Sequence, residues 1–354
     1  MFSDIPSPAP GARRRSWAKD AAELVEAGWS HEWSGHFAEA ESAYRSAVAA
    51  DPSDDTARVL LGMLLLGCGD YEGGWAALNL HSGESLIGRS VCVHPDHYFG
   101  FGDQIQVARY IPLLAKRASR VYLLVGPPLV RLFSGLDGVA GVASAYGGES
   151  IRYTQMAAAS LPHVCGSGIA NIPAPPYFSA RPDDIARWRL ELPQQGLRVG
   201  VVWRGSTRTL RDPYRSLPSL AALAPLWRVP GVQFVSLQKG AGEDEARSSP
   251  LPLTEIGSEI VDFADTAAIV SQLDLVITVD TSVAHLAGAL GKPVFLLLGA
   301  IPDWRWRHPE AAQRWYPTVR QFRQSTPGVW SDAVEAVAAA LENLLEAQRP
   351  QVSA

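Results

Sequence analysis

The stretch LVITVDTSVAHLAGALGKPVFLLL, residues 275–298, decides the fold class of this chain. Its two apolar runs, LVITV and VFLLL, have the length and the β-branched content of strands that are buried on both faces. The small residues between the runs predict a short helix. The stretch therefore indicates one βαβ unit, and its buried strands indicate a parallel sheet with helices on either side.

The turn after the first of these strands carries polar side chains, namely Asp280, Thr281, Ser282 and His285. In open α/β sheets ligands bind outside the carboxyl ends of the strands. The free N–H groups at the start of the following helix attract phosphate. The turn is therefore a candidate anion site. Two structural alternatives stay open, in which Asp280 is only a helix cap and His285 is an interior histidine with satisfied hydrogen bonds.

Length and composition favour an enzyme of more than one domain. The 354 residues exceed the size at which a single core stops growing. A formal charge of -5 gives no reason to expect a nucleic-acid partner. No run approaches the roughly 20 apolar residues that span a bilayer, and no apolar segment follows the basic run at residues 13–15, as a signal peptide would require. We expect a cytoplasmic protein without a transmembrane segment.

The three cysteines are far apart and lack the C-x-x-C spacing of a disulfide framework or a zinc site. Free thiols in a reducing compartment are the simplest interpretation.

The amino-terminal part of the chain repeats itself with a period of 34 residues. This shift places Gly28 on Gly62 and Tyr44 on Leu78, and SGHFAEAESAYRSAVAADPSD fits the tetratricopeptide pattern closely. Two repeats are too few to bury a continuous core, so they should pack on the following domain or on another subunit. A docking surface for a protein or peptide acceptor and a purely structural cap are equally open, and so is a homo-oligomer.

From Ser90 onward, strand and helix patterns alternate in two series. RSVCVHP and SRVYLLVGP predict strands on either side of an amphipathic helix at DQIQVARYIPLLAKR. The proline-rich segment IPAPPYFSARPDD predicts a linker without regular elements. A second series then runs from LRVGVVWRG to the closing helix SDAVEAVAAALENLLEAQ. We predict four regions, which are a flexible leader at 1–18, two repeats at 19–84, a first α/β domain at 85–180 and a second α/β domain at 181–354.

The segment HPDHYFGFGDQIQ is a candidate for chemistry in the first α/β domain. Gly100 and Gly102 allow close backbone approach, and Asp103 stands at the start of a helix beside the expected interdomain cleft. The structural alternative is that this aspartate only caps the helix. His97 and Gln106 are candidates for contact with an acceptor. A metal site at His94 and His97 is not expected, because a proline lies between them and no third ligand is evident.

Two loops of the second α/β domain carry polar groups that suit a nucleotide. WRGSTRTLRDPYRSLP follows a predicted strand with four arginines, and planar guanidinium groups match phosphate oxygens well. SLQKG ends the next strand with Gln238, which can pair with a base edge or a ribose, and Lys239, a point charge for phosphate. A solvated basic loop is the structural alternative for the arginines.

Two further segments surround the predicted site. VDFADTAA predicts a helix with Asp265 as its N-cap, and DWRWRHP, with Trp304 and Trp306, predicts a loop that closes the cleft, mainly through buried packing.

These motifs together resemble glycosyltransferase family 9, the heptosyltransferase family of GT-B architecture, and bacterial proteins in which such a domain is fused to tetratricopeptide repeats. The resemblance implies two Rossmann-like domains facing a cleft, with the acceptor held mainly by the first and the nucleotide by the second. It implies a nucleotide-diphosphate sugar as donor, no other cofactor and no metal. It also implies that Asp103 deprotonates the acceptor hydroxyl.

For the donor, the resemblance implies contacts from a set of residues in the second α/β domain, which are Trp203, Arg204, Arg215, Gln238, Lys239, Asp280, Thr281, Ser282 and His285. Arg208 and Arg211 match the family pattern less well, and Asp262 and Thr266 resemble the segment that precedes its nucleotide-contacting strand. Repeat-bearing relatives often have an acidic residue where this chain has His97, Tyr98 and Phe99, so the acceptor stays open between a protein hydroxyl, a glycan and a lipid precursor.

The sequence thus predicts a glycosyltransferase. One alternative is a non-catalytic protein-binding module that uses the repeats and a degenerate transferase fold. A weaker alternative is an enzyme similar to nucleotide-sugar epimerases, which also bind a diphosphate in a cleft.

Overall fold

The structure is a computed structural model, and it describes residues 16–79, 85–96, 98–145, 153–207 and 212–348. The chain forms two compact units that divide after Leu78. Most of the predicted leader, as well as His97, Arg208 and Arg211, lies outside the described residues.

The first unit is helical. Its helices are α1 (Ser16–Trp33), α2 (Phe37–Ala50), α3 (Asp55–Gly67) and α4 (Tyr71–Leu78). The second pair of helices follows the first with the predicted period, since α2 and α4 begin at Phe37 and Tyr71, 34 residues apart.

Close packing inside each helix pair repeats with the same period. A Cβ added to Gly28 would lie 2.5 Å from Cε1 of Tyr44, and a Cβ added to Gly62 would lie 2.8 Å from Cγ of Leu78. Each glycine therefore lets its helix approach a large side chain one helix further along. The internal repeat is thus present in the structure. Its assignment as a tetratricopeptide repeat and its docking role stay predictions.

The second unit contains two parallel sheets. Residues 85–180 supply the four-stranded sheet, in the order β3-β2-β1-β4, and residues 181–354 supply the six-stranded sheet, in the order β10-β9-β8-β5-β6-β7. The strands are β1 (Ser90–His94), β2 (Arg120–Leu124), β3 (Val139–Ala143), β4 (Thr154–Ala157), β5 (Leu197–Val202), β6 (Val232–Ser236), β7 (Thr254–Glu255), β8 (Leu275–Val279), β9 (Val294–Leu298) and β10 (Val319–Arg323).

Helices connect these strands on both sheets. The α-helices are α5 (Phe101–Val107), α6 (Ile111–Ala115), α7 (Val130–Phe133), α8 (Leu161–Val164), α9 (Pro182–Trp188), α10 (Asp212–Arg215), α11 (Glu243–Ser248), α12 (Phe263–Ser271), α13 (Ser282–Ala289), α14 (Trp304–Arg307), α15 (Pro309–Trp315) and α16 (Ser331–Gln348). A 3₁₀ helix at Leu220–Arg228 packs against α16.

The βαβ unit that decides the fold class forms as predicted. All five residues of β8 are buried, as are four of the five in β9. The two strands pair in parallel, with Ile277 opposite Phe295. Burial on both faces explains why these runs are apolar throughout and do not alternate. The predicted α/β fold class with parallel sheets is confirmed.

Two details of the sequence interpretation are wrong, and one pair of strands was not predicted. The single helix predicted over 103–117 is broken into α5, a 3₁₀ turn at Ala108–Tyr110 and α6, where Pro112 cannot donate a backbone hydrogen bond to an earlier turn. The sequence patterns did not indicate β3 and β4, because these short and partly exposed strands show little periodicity. The proline-rich linker already contains the start of α9, because Pro182 occupies its first turn.

Within the part of the chain that the structure describes, no helix combines the length and the apolar character needed to span a membrane. Its three cysteines are free.

Candidate active site

The candidate site lies where the N-terminal ends of α5 and α13 meet. α13 follows β8, and Thr281 is its N-cap, since the threonine hydroxyl accepts a hydrogen bond from the N–H of Val283 at 3.3 Å. The open alternative that Asp280 caps this helix is therefore wrong. Ser282 is the first residue of α13. The backbone N–H groups at the N-terminal end of α13 are the feature that suits a phosphate.

Gly102 is the contact point between the two helices. A Cβ at this position would lie 2.7 Å from Cδ2 of His285 and 3.4 Å from Cα of Ser282. Only a glycine lets α5 approach α13 this closely without a shift of either helix. The approach brings the first sheet's candidate base to the second sheet's candidate anion site.

Asp103 is anchored at both carboxylate oxygens. The N–H of Gly100 donates to Oδ2 at 2.6 Å, and the Arg305 guanidinium donates to Oδ1. The aspartate thus caps α5 from its third position, so the structural alternative from the sequence is part of its role. Burial raises the pKa of the Asp103 carboxyl, and the positive charge of Arg305 opposes this rise.

Arg305 is the residue that sequence reasoning missed. Its Nε donates to Oε1 of Gln106 at 2.5 Å and its Nη1 donates to Oδ1 of Asp303 at 2.8 Å, while only 7% of the side chain is exposed. The guanidinium carbon lies 4.3 Å from the centre of the Trp304 ring. The available signal was an arginine between two tryptophans directly after Asp303, which caps α14.

Asp280 lies in the same charged cluster. Its Oδ1 accepts a hydrogen bond from Nε1 of Trp306 at 2.9 Å. Burial and the negative charge of Asp303 raise the pKa of Asp280 to about 6, against the Trp306 hydrogen bond and the positive charges of Arg215 and Arg305. The Asp280 carboxyl therefore changes charge at a higher pH than an ordinary aspartate.

His285 is a neutral imidazole inside an aromatic cluster. Its ring stacks on Trp306 at a centroid distance of 5.5 Å, and Nδ1 lies 3.1 Å from the hydroxyl of Tyr316. Burial and the positive charge of Arg305 lower the pKa of His285 well below its usual value. The alternative of an interior histidine with a satisfied hydrogen bond therefore describes His285 in this structure.

A buried arginine, Arg109, packs against this aromatic cluster. Arg109 donates to the carbonyls of Pro173 and Trp315 at 3.1 and 3.0 Å and to the Tyr177 hydroxyl at 3.0 Å. Its guanidinium carbon also lies within 4.8 Å of the rings of Tyr177, Trp315 and Tyr316. Arg109 therefore joins both halves of the α/β unit through carbonyl and cation–π contacts.

Hydrogen bonds of the Gln238 side chain connect the Trp203 loop with the Gln238 loop. Oε1 of Gln238 accepts from the N–H groups of Trp203 and Arg204 at 3.0 Å each, and Nε2 donates to the carbonyls of Arg204 and Ala241 at 3.0 and 2.7 Å. The Gln238 amide is thus occupied by main chain. Its predicted contact with a nucleotide stays a prediction, and so does that of the fully buried Trp203.

The three described cations of these loops, Arg204, Arg215 and Lys239, have different surroundings. Arg215 lies against the backbone of Gly205, and its charge acts on both Asp280 and His285. Arg204 pairs with Glu245, with Nε 3.3 Å from Oε1. Lys239 has 49% of its side chain exposed and donates to the carbonyl of Ser258 at 3.0 Å. Arg215 is therefore a predicted phosphate ligand whose charge reaches residues at the start of α13.

One predicted cap is wrong. Asp262, and not Asp265, is the N-cap of α12, because its Oδ1 accepts from the N–H groups of Ala264 and Asp265 at 2.9 and 3.1 Å. Asp265 is fully buried and pairs with Arg131 at 2.5 Å. Burial would raise the pKa of Asp265, but hydrogen bonds from the N–H of Val261, Arg131 and Trp188 bring that pKa below its usual value. Asp265 is therefore a structural anion.

Among the described residues, no three histidine, cysteine, aspartate or glutamate side chains are grouped so that they could hold a metal ion. His97, which the sequence proposed for the acceptor, lies outside those residues.

Comparison with known proteins matches one part of the candidate site to a protein family. Residues 259–327 match the model of glycosyltransferase family 9 (heptosyltransferase), and this range contains Asp280, His285 and Arg305. Protein FlbA of Caulobacter vibrioides is 27% identical over 292 residues, which are 74% of this chain and 48% of FlbA. The chain thus spans about half the length of this curated relative.

Two solved structures share the fold. ADP-heptose lipopolysaccharide heptosyltransferase II of E. coli superimposes with a TM-score of 0.52 and 12% identity, over 73% of this chain and 100% of the other. A family 9 glycosyltransferase of Veillonella parvula gives a TM-score of 0.54 and 13% identity, over 75% and 99%. Residues 259–327 are therefore similar to glycosyltransferase family 9, and the chain shares the fold of these two structures, which confirms the predicted resemblance at this level. The fusion to tetratricopeptide repeats stays a prediction.

Proposed function

We propose that this protein is a GT-B glycosyltransferase that moves a sugar from a nucleotide-diphosphate sugar to an acceptor hydroxyl. One observation supports this proposal most strongly. Asp103 pairs with Arg305, and its neighbour Gly102 lies against Ser282 and His285 of α13, so the candidate base and the start of α13 come together in one part-buried region. A base close to an anion site is the combination that this reaction needs.

The reaction is a direct displacement at the anomeric carbon of the donor. The acceptor oxygen forms the new bond, the bond from the anomeric carbon to the diphosphate oxygen breaks, and Asp103 takes the acceptor proton. The departing diphosphate carries the developing negative charge. Arg215 and the α13 end at Thr281 and Ser282 stabilise this charge, with Arg204 and Lys239 on the neighbouring loops.

The acceptor is the least defined component. Gly102 and Gln106 lie on α5 together with Asp103, so this helix forms the acceptor side of the site. A polypeptide hydroxyl is the acceptor that would make use of the helical unit as a docking surface. The donor requires no metal in this proposal, because arginines and helix N–H groups stabilise the leaving group. We place the reaction in the cytoplasm.

Calorimetry and donor hydrolysis test the proposal together. Binding is measured with ADP, GDP, UDP and dTDP, and turnover with a panel of the corresponding nucleotide sugars, including ADP-heptose, with and without EDTA. We expect one nucleoside diphosphate to bind preferentially and its sugar conjugate to be hydrolysed equally well in EDTA. Binding without any turnover would favour the non-catalytic alternative, and loss of turnover in EDTA would contradict the metal-free mechanism.

A further inference from the structure

We propose that Arg305 is a positioning residue for the candidate base: its guanidinium, which comes from the second sheet's side of the site, keeps Asp103 ionised and correctly oriented. This inference rests on the proposed function, since it assigns a role to Arg305 only if Asp103 takes a proton from the acceptor. Neither the sequence patterns nor the family resemblance pointed to this residue.

The placement of Arg305 is defined on both sides of the site. Asp303 and Trp304 belong to its own loop, and they fix the guanidinium by a hydrogen bond of 2.8 Å and a ring contact of 4.3 Å. Asp103 and Gln106 lie one helical turn apart on α5, and both accept hydrogen bonds from the same guanidinium. A planar group with several donors is suited to such a bridge, whereas a lysine ammonium is not.

The charges around Asp103 explain why it needs this partner. Removal from water favours the neutral carboxyl, and the nearby carboxylate of Asp303 acts in the same direction. His285 on the adjoining α13 is neutral, so it supplies no compensating charge. Arg305 is the cation that opposes protonation of Asp103 directly. Without it, the base would be protonated over a wider range of pH.

The geometry also leaves room for the proton transfer. Gly100 occupies one position on Oδ2 and Arg305 occupies one on Oδ1. Each oxygen of an ionised carboxylate has two acceptor sites. Each can therefore still accept a hydrogen bond from the acceptor hydroxyl, or its proton. The two contacts fix the plane of the carboxylate and leave it able to react.

The orientation of the Gln106 amide shows how strongly the local structure favours the position of the Arg305 guanidinium. Its Oε1 accepts from Nε of Arg305 at 2.5 Å, and its buried Nε2 has no hydrogen-bond partner among the described residues. A flipped amide would direct its NH₂ group at the guanidinium. The amide orientation is therefore set by Arg305 even though a buried donor is left unsatisfied.

The decisive measurement is the pH profile of donor hydrolysis, with water as acceptor and the nucleotide sugar that the wild type hydrolyses fastest. The variants are Arg305→Gln and, as a control, Arg314→Gln, which removes an exposed arginine on α15. Loss of the Arg305 charge should raise the pKa of Asp103 further and shift the acid limb of kcat to higher pH. We expect kcat of Arg305→Gln to fall by about tenfold or more at pH 6 and to recover toward the wild-type value at pH 9. The control should keep the wild-type profile.

Binding of the nucleoside diphosphate separates this role from a direct contact with the donor. For Arg305→Gln we expect its Kd to stay within about threefold of the wild-type value, a change of less than 1 kcal/mol. A deficit that is the same at every pH, or a much larger Kd, would overturn the inference while leaving the proposed function intact. A wild type that hydrolyses no donor would overturn the proposed function, and the inference with it.

A thermal double-mutant cycle tests the contact without turnover. Melting temperatures are compared for Asp103→Asn, Arg305→Gln and the double variant, and the effects should be clearly non-additive. Additive effects would show that the two side chains are not paired, and this would overturn the inference.

If Arg305→Gln fails to fold, Gln106→Met replaces it in both experiments, because Gln106→Met removes one acceptor that positions the guanidinium. It should shift the acid limb in the same direction, and an unmoved limb would contradict the proposal.

Discussion

At the scale of single residues, the candidate site is governed by three carboxylates around one guanidinium. Arg305 bonds directly to Asp103 and Asp303, and its charge also acts on Asp280. The three acids have different surroundings, so they can have different roles. Asp303 caps a helix, Asp103 is held by two donors, and the pKa of Asp280 is raised by burial and by Asp303.

The first prediction concerns the base. Asp103→Asn should fold and bind the nucleoside diphosphate normally but lose about 10² to 10⁴ in turnover, the range typical of a general base. The amide oxygen can still accept the hydrogen bond from the N–H of Gly100, so the start of α5 should persist, whereas the NH₂ group then faces the Arg305 guanidinium and lowers the stability of the variant. Turnover is measured by release of nucleoside diphosphate, and far-ultraviolet circular dichroism serves as the control for folding. An unchanged kcat would show that Asp103 only caps its helix.

The second prediction concerns pH. Protonation of Asp280 removes a negative charge near the proposed diphosphate site, so donor affinity should be highest below a pKa of about 6 and fall as pH rises through it. A nucleotide sugar is the appropriate ligand, because its diphosphate is esterified at both ends and does not titrate in this range. Calorimetry from pH 5 to 8 should show proton uptake on binding for the wild type.

Asp280→Asn is the matched variant for this measurement. Its carbonyl oxygen can keep the hydrogen bond from Trp306, whereas its charge no longer changes with pH. Its donor affinity should vary little between pH 5 and 8. A wild-type affinity that is equally independent of pH would rule out a role for Asp280 in donor binding.

At the scale of elements, the site depends on how closely α5 and α13 approach. Each helix belongs to a different sheet, and a Cβ added at Gly102 of α5 would lie only 3.4 Å from Cα of Ser282 on α13. The contact is the reason that two short helices from separate series of strands build one site. It also makes the site sensitive to a single methyl group.

The third prediction tests this contact. In Gly102→Ala, the new Cβ would lie 2.7 Å from a carbon of the buried His285 ring, which stacks on Trp306 and cannot easily move. We expect overpacking to destabilise the protein by about 1 to 3 kcal/mol. Turnover should fall as well, since Asp103 moves with α5. Chemical denaturation and donor hydrolysis measure the two effects.

Gly168→Ala provides the control in the same half of the unit. Its Cβ would meet no atom closer than 3.9 Å, and its φ of -115° is accessible to alanine. Its stability should stay within about 0.5 kcal/mol of the wild type. Equal stabilities for the two variants would mean that α5 and α13 are far enough apart to accommodate a methyl group at residue 102.

At the scale of the whole molecule, the chain consists of a helical unit and an α/β unit that holds both sheets. Every residue of the candidate site belongs to the α/β unit. That unit is further joined across its two halves by Arg109 and by the pair between Arg131 and the buried Asp265. The chemistry of the site should therefore not require the helices of the first unit.

The fourth prediction follows from this division. A fragment that lacks residues 1–80 should keep donor binding and donor hydrolysis, because both sheets are retained. If the helical unit docks a protein acceptor, kcat/KM for that acceptor should fall much more than the rate of donor hydrolysis. Circular dichroism and thermal unfolding must first show that the fragment folds. A folded fragment with unchanged acceptor kcat/KM would leave the helices with a structural or oligomeric role.

The sequence by itself determined the features that arise from local patterns. Strands buried on both faces, such as β8 and β9, must be apolar along their length, and α16 has the bounds that its periodicity predicts. Spacing of 34 residues likewise revealed the helix pairs, because the same glycine contact recurs in each. Thr281 and Asp103 could be found because a strand followed by a polar turn places its side chains at the edge of a sheet.

Only the tertiary structure decided which of these residues act on one another. Asp103 and Arg305 are 202 residues apart in sequence, and no local pattern relates them. The same holds for Gln238, whose amide is occupied by backbone 34 residues away, and for the short strands β3 and β4, which other parts of the sheet stabilise. The physical reason is that charge pairing and desolvation depend on distance in space, whereas sequence periodicity reports only which face of an element is buried.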